Sequence, residues 1–425
     1  MEAGGFRPPR QISTRAGLIH ALDEAAALEH GLLLQYLFAA VSMKRRPDEG
    51  LTERQVELLR DWEGTLLEVA RQEMAHLGTV CNLLNAIGAA AQFSRPNFPV
   101  ANRYYPSDVD EDGEEEHLTF ALEPFSLATV RRFVRFETPE PDVVDRAVAA
   151  EPALRWRTVG DLYKQISRAF QTLDERTLFI GDKRAQETDD WTARLKILGV
   201  TSRQEAVVAI TSIIEEGEGT PVGAEQSHWQ RFRDIQQQLE AEQAADQDFE
   251  PARPVLANPL TRPHFETAGG QLIGDRLAGE ICELHNGVYA SMLLMLLQYF
   301  AFAGEERSAR QELRATIRRL MSAVIRPLGE VLTELPAGPD HPGATAGPSF
   351  ELYGTISAPV NPARAWLLFT ERLADQAEVC DALSREVGAP PRLAYLTTNL
   401  RLAAATIKRA APAIGQRRTD SHAVA

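Results

Sequence analysis

Apolar positions along this chain step by three and four far more often than they alternate, so helices dominate the reading. Between Thr14 and Met43, residues Leu18, Leu22, Ala25, Leu28, Leu32, Tyr36 and Ala39 follow that step. Arg45-Arg46-Pro47 and Glu49-Gly50 then break the first helix. Thr52-Glu53-Arg54-Gln55 has the form of a capping box. It opens a second helix through Trp62, Leu66, Val69, His76, Val80 and Leu83, ending near Gly88. Two long helices joined by a short turn are predicted to be antiparallel neighbours.

The same periodicity predicts a short amphipathic helix over Ser126–Phe136, stopped by Pro139 and Pro141. A third long helix starts at Thr158 and carries Leu162, Ile166, Phe170 and Leu173; a fourth covers Ser202–Glu216. A fifth begins near Ala224 and runs through Phe232 and Ile235. Pro251, Pro254, Pro259 and Pro263 mark a boundary at about residue 260. Beyond it the pattern predicts helices over roughly 272–304, 307–334, 361–387 and 390–411, with a Gly- and Pro-containing loop over 336–360. The expected architecture is all-α: a four-helix bundle with loop insertions over 10–245, a C-terminal helical domain over 260–412, and a frayed tail over 413–425.

One spacing turns this bundle toward chemistry. Glu73-Met74-Ala75-His76 places a carboxylate and an imidazole three apart, on one helix face, and Glu225-Gln226-Ser227-His228 repeats it. Glu29 lies in the otherwise apolar stretch Ala25–Leu34, where an unpaired carboxylate would be costly to bury. Two Glu-x-x-His pairs with a further Glu before each are what a carboxylate-bridged two-metal site needs. The expected ligands are Glu29, Glu73, His76, Glu218, Glu225 and His228, with Glu215 the alternative to Glu218. Mixed oxygen and nitrogen donors suit two iron ions, or manganese; zinc prefers closed four-coordinate sites, often with thiolate. Tyr36, Tyr163 and Trp229 are candidates to line the pocket, though large helix residues are commonly plain core.

Other features carry less. His20 and His30 read as surface residues or as supports to ligands, and His285 as a satisfied core histidine. The acidic run Asp108–Asp112 imitates a calcium loop, but its twelfth position is Thr119 where a bidentate Glu is needed. Met292 and Met295 sit among leucines and read as core. Neither a P-loop nor Gly-x-Gly-x-x-Gly after a strand nor Gly-x-Ser-x-Gly is present. The net charge of −15, without a basic stripe, argues against nucleic acid as a partner. Three widely spaced cysteines fit a reducing cytoplasm, and the apolar run Val288–Phe302 is too short to span a bilayer. No membrane partner is expected; a homodimer stays open.

At the candidate ligands the chain resembles a known group. Leu28-Glu29-His30, Tyr36-Leu37-Phe38-Ala39-Ala40, Glu73-Met74-Ala75-His76, Gly217-Glu218-Gly219 and Ser227-His228-Trp229-Gln230-Arg231-Phe232 look like the ferritin-like domain of the iminophenyl-pyruvate dimer synthase family. Phe133-Val134-Arg135-Phe136-Glu137-Thr138-Pro139 and Val159-Gly160-Asp161-Leu162-Tyr163 support it, and the likeness extends over roughly 14–390. Its best-known members include the imine-coupling enzymes of violacein- and rebeccamycin-type biosynthesis. The resemblance implies a ferritin-like metal-binding fold in secondary metabolism, and it leaves haem open beside iron. The expected function is a non-haem di-iron oxidase or oxygenase acting with dioxygen on a small, amino-acid-derived substrate. The alternatives are a non-catalytic metal binder for storage or sensing, and a scaffold of a biosynthetic pathway.

Overall fold

The computed structural model describes residues 11–101, 108–109, 115–116, 119–139, 158–188, 196–217, 227–263, 269–301, 306–357 and 361–411. Helices α1 (Arg15–Ser42) and α2 (Glu53–Ala86) form the antiparallel pair that the periodicity predicts. Thr14 caps α1 by accepting from the Gly17 amide. Thr52 and Gln55 cap α2 reciprocally, as the sequence box requires. Helix α1 is buried on nearly all sides, from Leu18 to Ser42, with little polar face left for water.

Two further columns complete a four-helix bundle, and each is built from two helices in series. The first is α3 (Leu127–Phe136) followed by α4 (Val159–Thr172). It runs antiparallel to α1. The Phe125 amide meets Ser42 at one end, Tyr163 meets Glu29 midway, and Arg15 meets the Thr177 carbonyl at the other. The second is α5 (Arg203–Gly217) followed by α6 (His228–Ala245). It runs antiparallel to α2, with Glu216 beside His76, Arg231 beside Gln72 and Gln238 bonded to Trp62. Ser126, Thr158 and Ser227 cap the starts of α3, α4 and α6 through their hydroxyls. Both columns break at the level of Glu29 and Glu73, so helix ends rather than helix sides face the centre of the bundle there.

The later helices cover the opposite side of the α1–α2 pair. Helix α7 (Arg276–Ala301) packs against α1 through Tyr289 and His30, and against α2 through Asn85 and the Phe300 carbonyl. The sequence pattern predicts this helix from about 272, but Gln271–Leu272 instead pairs in parallel with Pro259–Leu260. The single helix predicted over 307–334 is α8 (Arg307–Leu320), a π turn (Met321–Ile325) and α9 (Arg326–Leu332). Pro327 explains the interruption: it has no amide to offer the Ala323 carbonyl, and Asn399 Nδ2 donates to that carbonyl at 3.1 Å. Helices α10 (Pro362–Ser384) and α11 (Arg392–Ala410) pack against each other, with α10 on α7 and α11 on α8. One continuous cluster of buried apolar side chains runs through both halves of the chain.

Candidate metal centre

The centre of the bundle holds more buried charge than an apolar core tolerates without compensation. Glu29, Glu73, His76, Glu137 and His228 are all buried. Glu29 comes from α1, Glu73 and His76 from successive turns of one face of α2, Glu137 from the C-cap of α3, and His228 from the first turn of α6. They make two donor sets that share one residue. Glu29, Glu73 and His76 form one; Glu73, Glu137 and His228 form the other. Within each set the candidate ligand atoms lie within 4.8 Å of one another.

Glu73 stands between the two histidines. One of its oxygens is 2.9 Å from His76 Nδ1 and the other 3.0 Å from His228 Nδ1. The two imidazoles stack with ring centroids 5.6 Å apart. The short approach of His228 Nδ1 to Glu73 lacks the angles of a hydrogen bond, and both ring nitrogens of His228 are buried without hydrogen-bond partners among the described residues. Glu29 Oε2 is likewise without one, with His76 Nδ1 at 3.5 Å. Lone pairs that converge without closing hydrogen bonds are the donor arrangement of a cation site. Carboxylate oxygen with imidazole nitrogen fits iron or manganese.

The surrounding residues orient these donors. The Tyr163 hydroxyl donates to Glu29 and the Tyr36 hydroxyl to Glu137, the latter at 2.5 Å, so each outer carboxylate has its own tyrosine. His76 Nε2 lies 3.2 Å from Glu216 Oε2, which leaves Nδ1 turned toward Glu73 and Glu29. Burial raises the Glu29 pKa, and the negative Glu73 beside it raises it further, to about 8. Burial alone would lower the pKa of His228, but Glu73 and Glu137 outweigh it and hold it up at about 9. His76 is raised well above its ordinary value, its burial outweighed by Glu216, Glu29 and Glu73. Burial would raise Glu73, but His228 and His76 hold it well below the usual carboxylate range. A cavity of about 20 Å³, lined by Glu29, Leu32, His76, Glu137, Tyr163 and His228 among others, adjoins the donors. It has room for about one water.

The structure thus brings together four of the six expected ligands: Glu29, Glu73, His76 and His228. Glu218 and Glu225 lie outside the described residues. Glu215, the alternative to Glu218, is exposed; its neighbour Glu216 reaches His76 instead. Of the pocket candidates, Tyr36 and Tyr163 bond the carboxylates, whereas Trp229 is half-buried under Arg233. His30 departs from its reading as a surface or supporting residue. It is buried on the far face of α1, one residue and about 100° round from Glu29, and bonds Phe93 and Tyr289. His285 is buried as expected, but its Nε2 has no partner among the described residues. Sequence reasoning missed Glu137 as a donor. The available signal was its position, because a carboxylate at a helix C-terminus faces the unfavourable end of the dipole and calls for a compensating cation.

Comparison with known proteins gives this geometry a family. A family model described as ferritin-like matches residues 22–237. The 2-imino-3-(indol-3-yl)propanoate dimerase of Chromobacterium violaceum is 33% identical over 80% of this chain and 34% of its own length. The dichlorochromopyrrolate synthase of Lentzea aerocolonigenes is 29% identical over 83% of this chain and 37% of its own. The chain therefore spans about a third of the length of these curated relatives. A crystal structure of a ferritin-like protein from Caulobacter vibrioides superposes on 72% of this chain and 95% of its own, with a TM-score of 0.47 and 20% identity. With its two broken columns closing on a shared glutamate, and a family match over half of its length, the chain belongs to the ferritin-like family.

Proposed function

We propose that the chain is a metal-dependent oxidase or oxygenase that uses two iron ions and dioxygen on a small organic substrate in secondary metabolism. The observation that carries this reading is Glu73, the one carboxylate common to both buried donor sets, with a histidine Nδ1 at 2.9 Å on one side and at 3.0 Å on the other. Glu29 and His76 would hold one ion, Glu137 and His228 the other, and Glu73 both; Glu218 and Glu225 stay candidates. Manganese suits the same donors. Iron held by side chains is preferred to haem because His30, which lines a cavity of about 590 Å³ on the other face of the α1–α2 pair, spends both ring nitrogens on Phe93 and Tyr289. When bound, such ions supply the electrons that dioxygen needs.

The chain's own residues do the rest. Tyr163 and Tyr36 keep Glu29 and Glu137 turned inward, and each can hold a proton at its hydroxyl beside the carboxylate. Glu216 fixes the His76 tautomer. Leu32, Phe136 and Ile213 wall the centre with apolar surface. The relatives' names, a dimerase and a synthase, support an enzyme; their substrates stay theirs. A cytoplasmic setting belongs to the same proposal, and three buried free thiols agree with it. Storage or sensing is the second reading, favoured by the 20 Å³ cavity, which admits no organic substrate among the described residues.

Anaerobic reconstitution with Fe(II) tests both. The enzyme reading expects about two irons per chain and oxygen consumption on exposure to air. Glu73→Ala should lose both irons with helicity unchanged by circular dichroism. Fewer than about one iron per wild-type chain sinks the site. Full loading without oxygen consumption favours storage.

A further inference from the structure

We propose that a cavity on the other face of the α1–α2 pair is a second ligand site, built for an amphipathic carboxylate with an aliphatic body. The cavity measures about 590 Å³, within the range of about 300–1,000 Å³ usual for small-molecule sites. The pair of helices is a wall with two faces. Glu29, Leu32 and Tyr36 look toward the metal centre, while His30, Leu33 and Leu37 look into this cavity. One helix diameter, about 10 Å, separates the two sites, so this one stands whether or not the metal reading holds.

The walls are mostly aliphatic and adaptable, with Leu33 and Leu37 from α1, Met74 and Leu77 from α2, and Met292 and Leu296 from α7; Phe93, Tyr289, Phe300 and Phe350 add aromatic surface. The inner end needs nothing polar from a ligand. His30 Nδ1 lies 3.0 Å from the Phe93 carbonyl, which can only accept, so Nδ1 carries the proton. His30 Nε2 then accepts from Tyr289, at 2.6 Å.

The outer end has the opposite character. Arg71, Arg318, Arg319 and Arg326 line it, and no Asp or Glu lines the cavity among the described residues. Arg71 is bonded to Glu68, and Arg326 to Glu63 and Glu330, but Arg71 Nε is buried without a hydrogen-bond partner. Arg318 is exposed and Arg319 half-buried, and neither has a carboxylate partner among the described residues. In a chain of net charge −15, Arg318 and Arg319 bring two guanidinium groups to this mouth without carboxylate partners among the described residues. A guanidinium fork matches a carboxylate two bonds at a time. The π turn supplies a third, independent pointer. Met321, Ser322 and Ile325 line this wall, between Arg319 and Arg326, and π turns recur at functional sites.

Titration calorimetry of the full chain, with metal and without, tests the site. Decanoate should bind saturably at about one per chain, with decanol and indole-3-propionate about tenfold weaker or more. The double variant Arg318→Ala/Arg319→Ala should weaken decanoate by about tenfold or more, with decanol binding and metal content unchanged. These side chains reach solvent, so the fold survives their loss. Met292→Trp should narrow the cavity and weaken both ligands. Absence of saturable decanoate binding, equal binding by the double-arginine variant, or tighter binding of indole-3-propionate overturns the proposal.

Discussion

Glu29 and His228 both keep protons at neutral pH in the metal-free protein, for opposite reasons. Glu29 keeps one because burial and Glu73 disfavour its charge; His228 keeps one because Glu73 and Glu137 favour its charge. A metal ion must displace both, so binding releases protons and strengthens as pH rises toward the range of about 8 to about 9. Calorimetric titration of Fe(II) in buffers of different ionisation heat should show that release, and pH-independent binding would contradict the donor assignment. Without metal the sign reverses. A raised histidine pKa stabilises the fold fully below its ordinary 6.5, and that contribution is lost as pH rises through about 9. The metal-free protein should therefore lose thermal stability across this window, less steeply in His228→Asn. Most of this centre was legible in the sequence. Spacing put Glu73 and His76 on one face, repetition singled out His228, and an apolar setting exposed Glu29. Glu137 stayed hidden because its partner elements are distant in sequence and no fixed spacing connects α3 to α6.

Four helix starts were legible because a side chain caps the backbone there; the start of α6 at His228, capped by Ser227, was expected near Ala224. Thr14, Thr52, Ser126 and Thr158 each accept from an amide three residues on, and those starts sit where the pattern predicts them. The π turn was not legible, because it depends on Asn399 from another helix reaching the carbonyl that Pro327 leaves unpaired. Two glycines separate propensity from packing. Gly31 lies inside α1, and a Cβ built there meets nothing within 4 Å. Gly31→Ala should stabilise the protein by about 1 kcal/mol, read as a raised unfolding midpoint in denaturant. Gly181 donates its amide to the Ala86 carbonyl at the end of α2, and a Cβ there would sit 1.6 Å from the Asn85 carbonyl oxygen. Gly181→Ala should cost about 2 kcal/mol or more, because backbone rather than a flexible side chain would have to move. A small or stabilising effect would mean that this loop docks on α2 less tightly than the structure shows.

The burial of α1 decides how the whole molecule should come apart. By length and composition this helix is apolar enough to cross a membrane, yet 89% of its most apolar stretch is buried inside the protein. One side faces α3 and α4 around Glu29 and Tyr36; the other faces α7 and the large cavity through His30 and Leu33. Neither half of the chain can cover α1 by itself. We propose that residues 10–245 and 260–412 are distinct in sequence pattern but fold as one cooperative unit. Cross-links at several places agree: Asn85 bonds the Phe300 carbonyl, and buried Arg253 joins Glu49 to Thr333. Calorimetric unfolding of the metal-free chain should show one transition with matching calorimetric and van't Hoff enthalpies. A fragment ending at residue 250 would leave Leu33, Leu34 and Leu37 facing water along a continuous apolar strip, and should aggregate or bind a hydrophobic dye. Two resolved transitions, together with a soluble fragment that still takes up Fe(II), would show instead that the bundle stands alone and that α7 only lies against it.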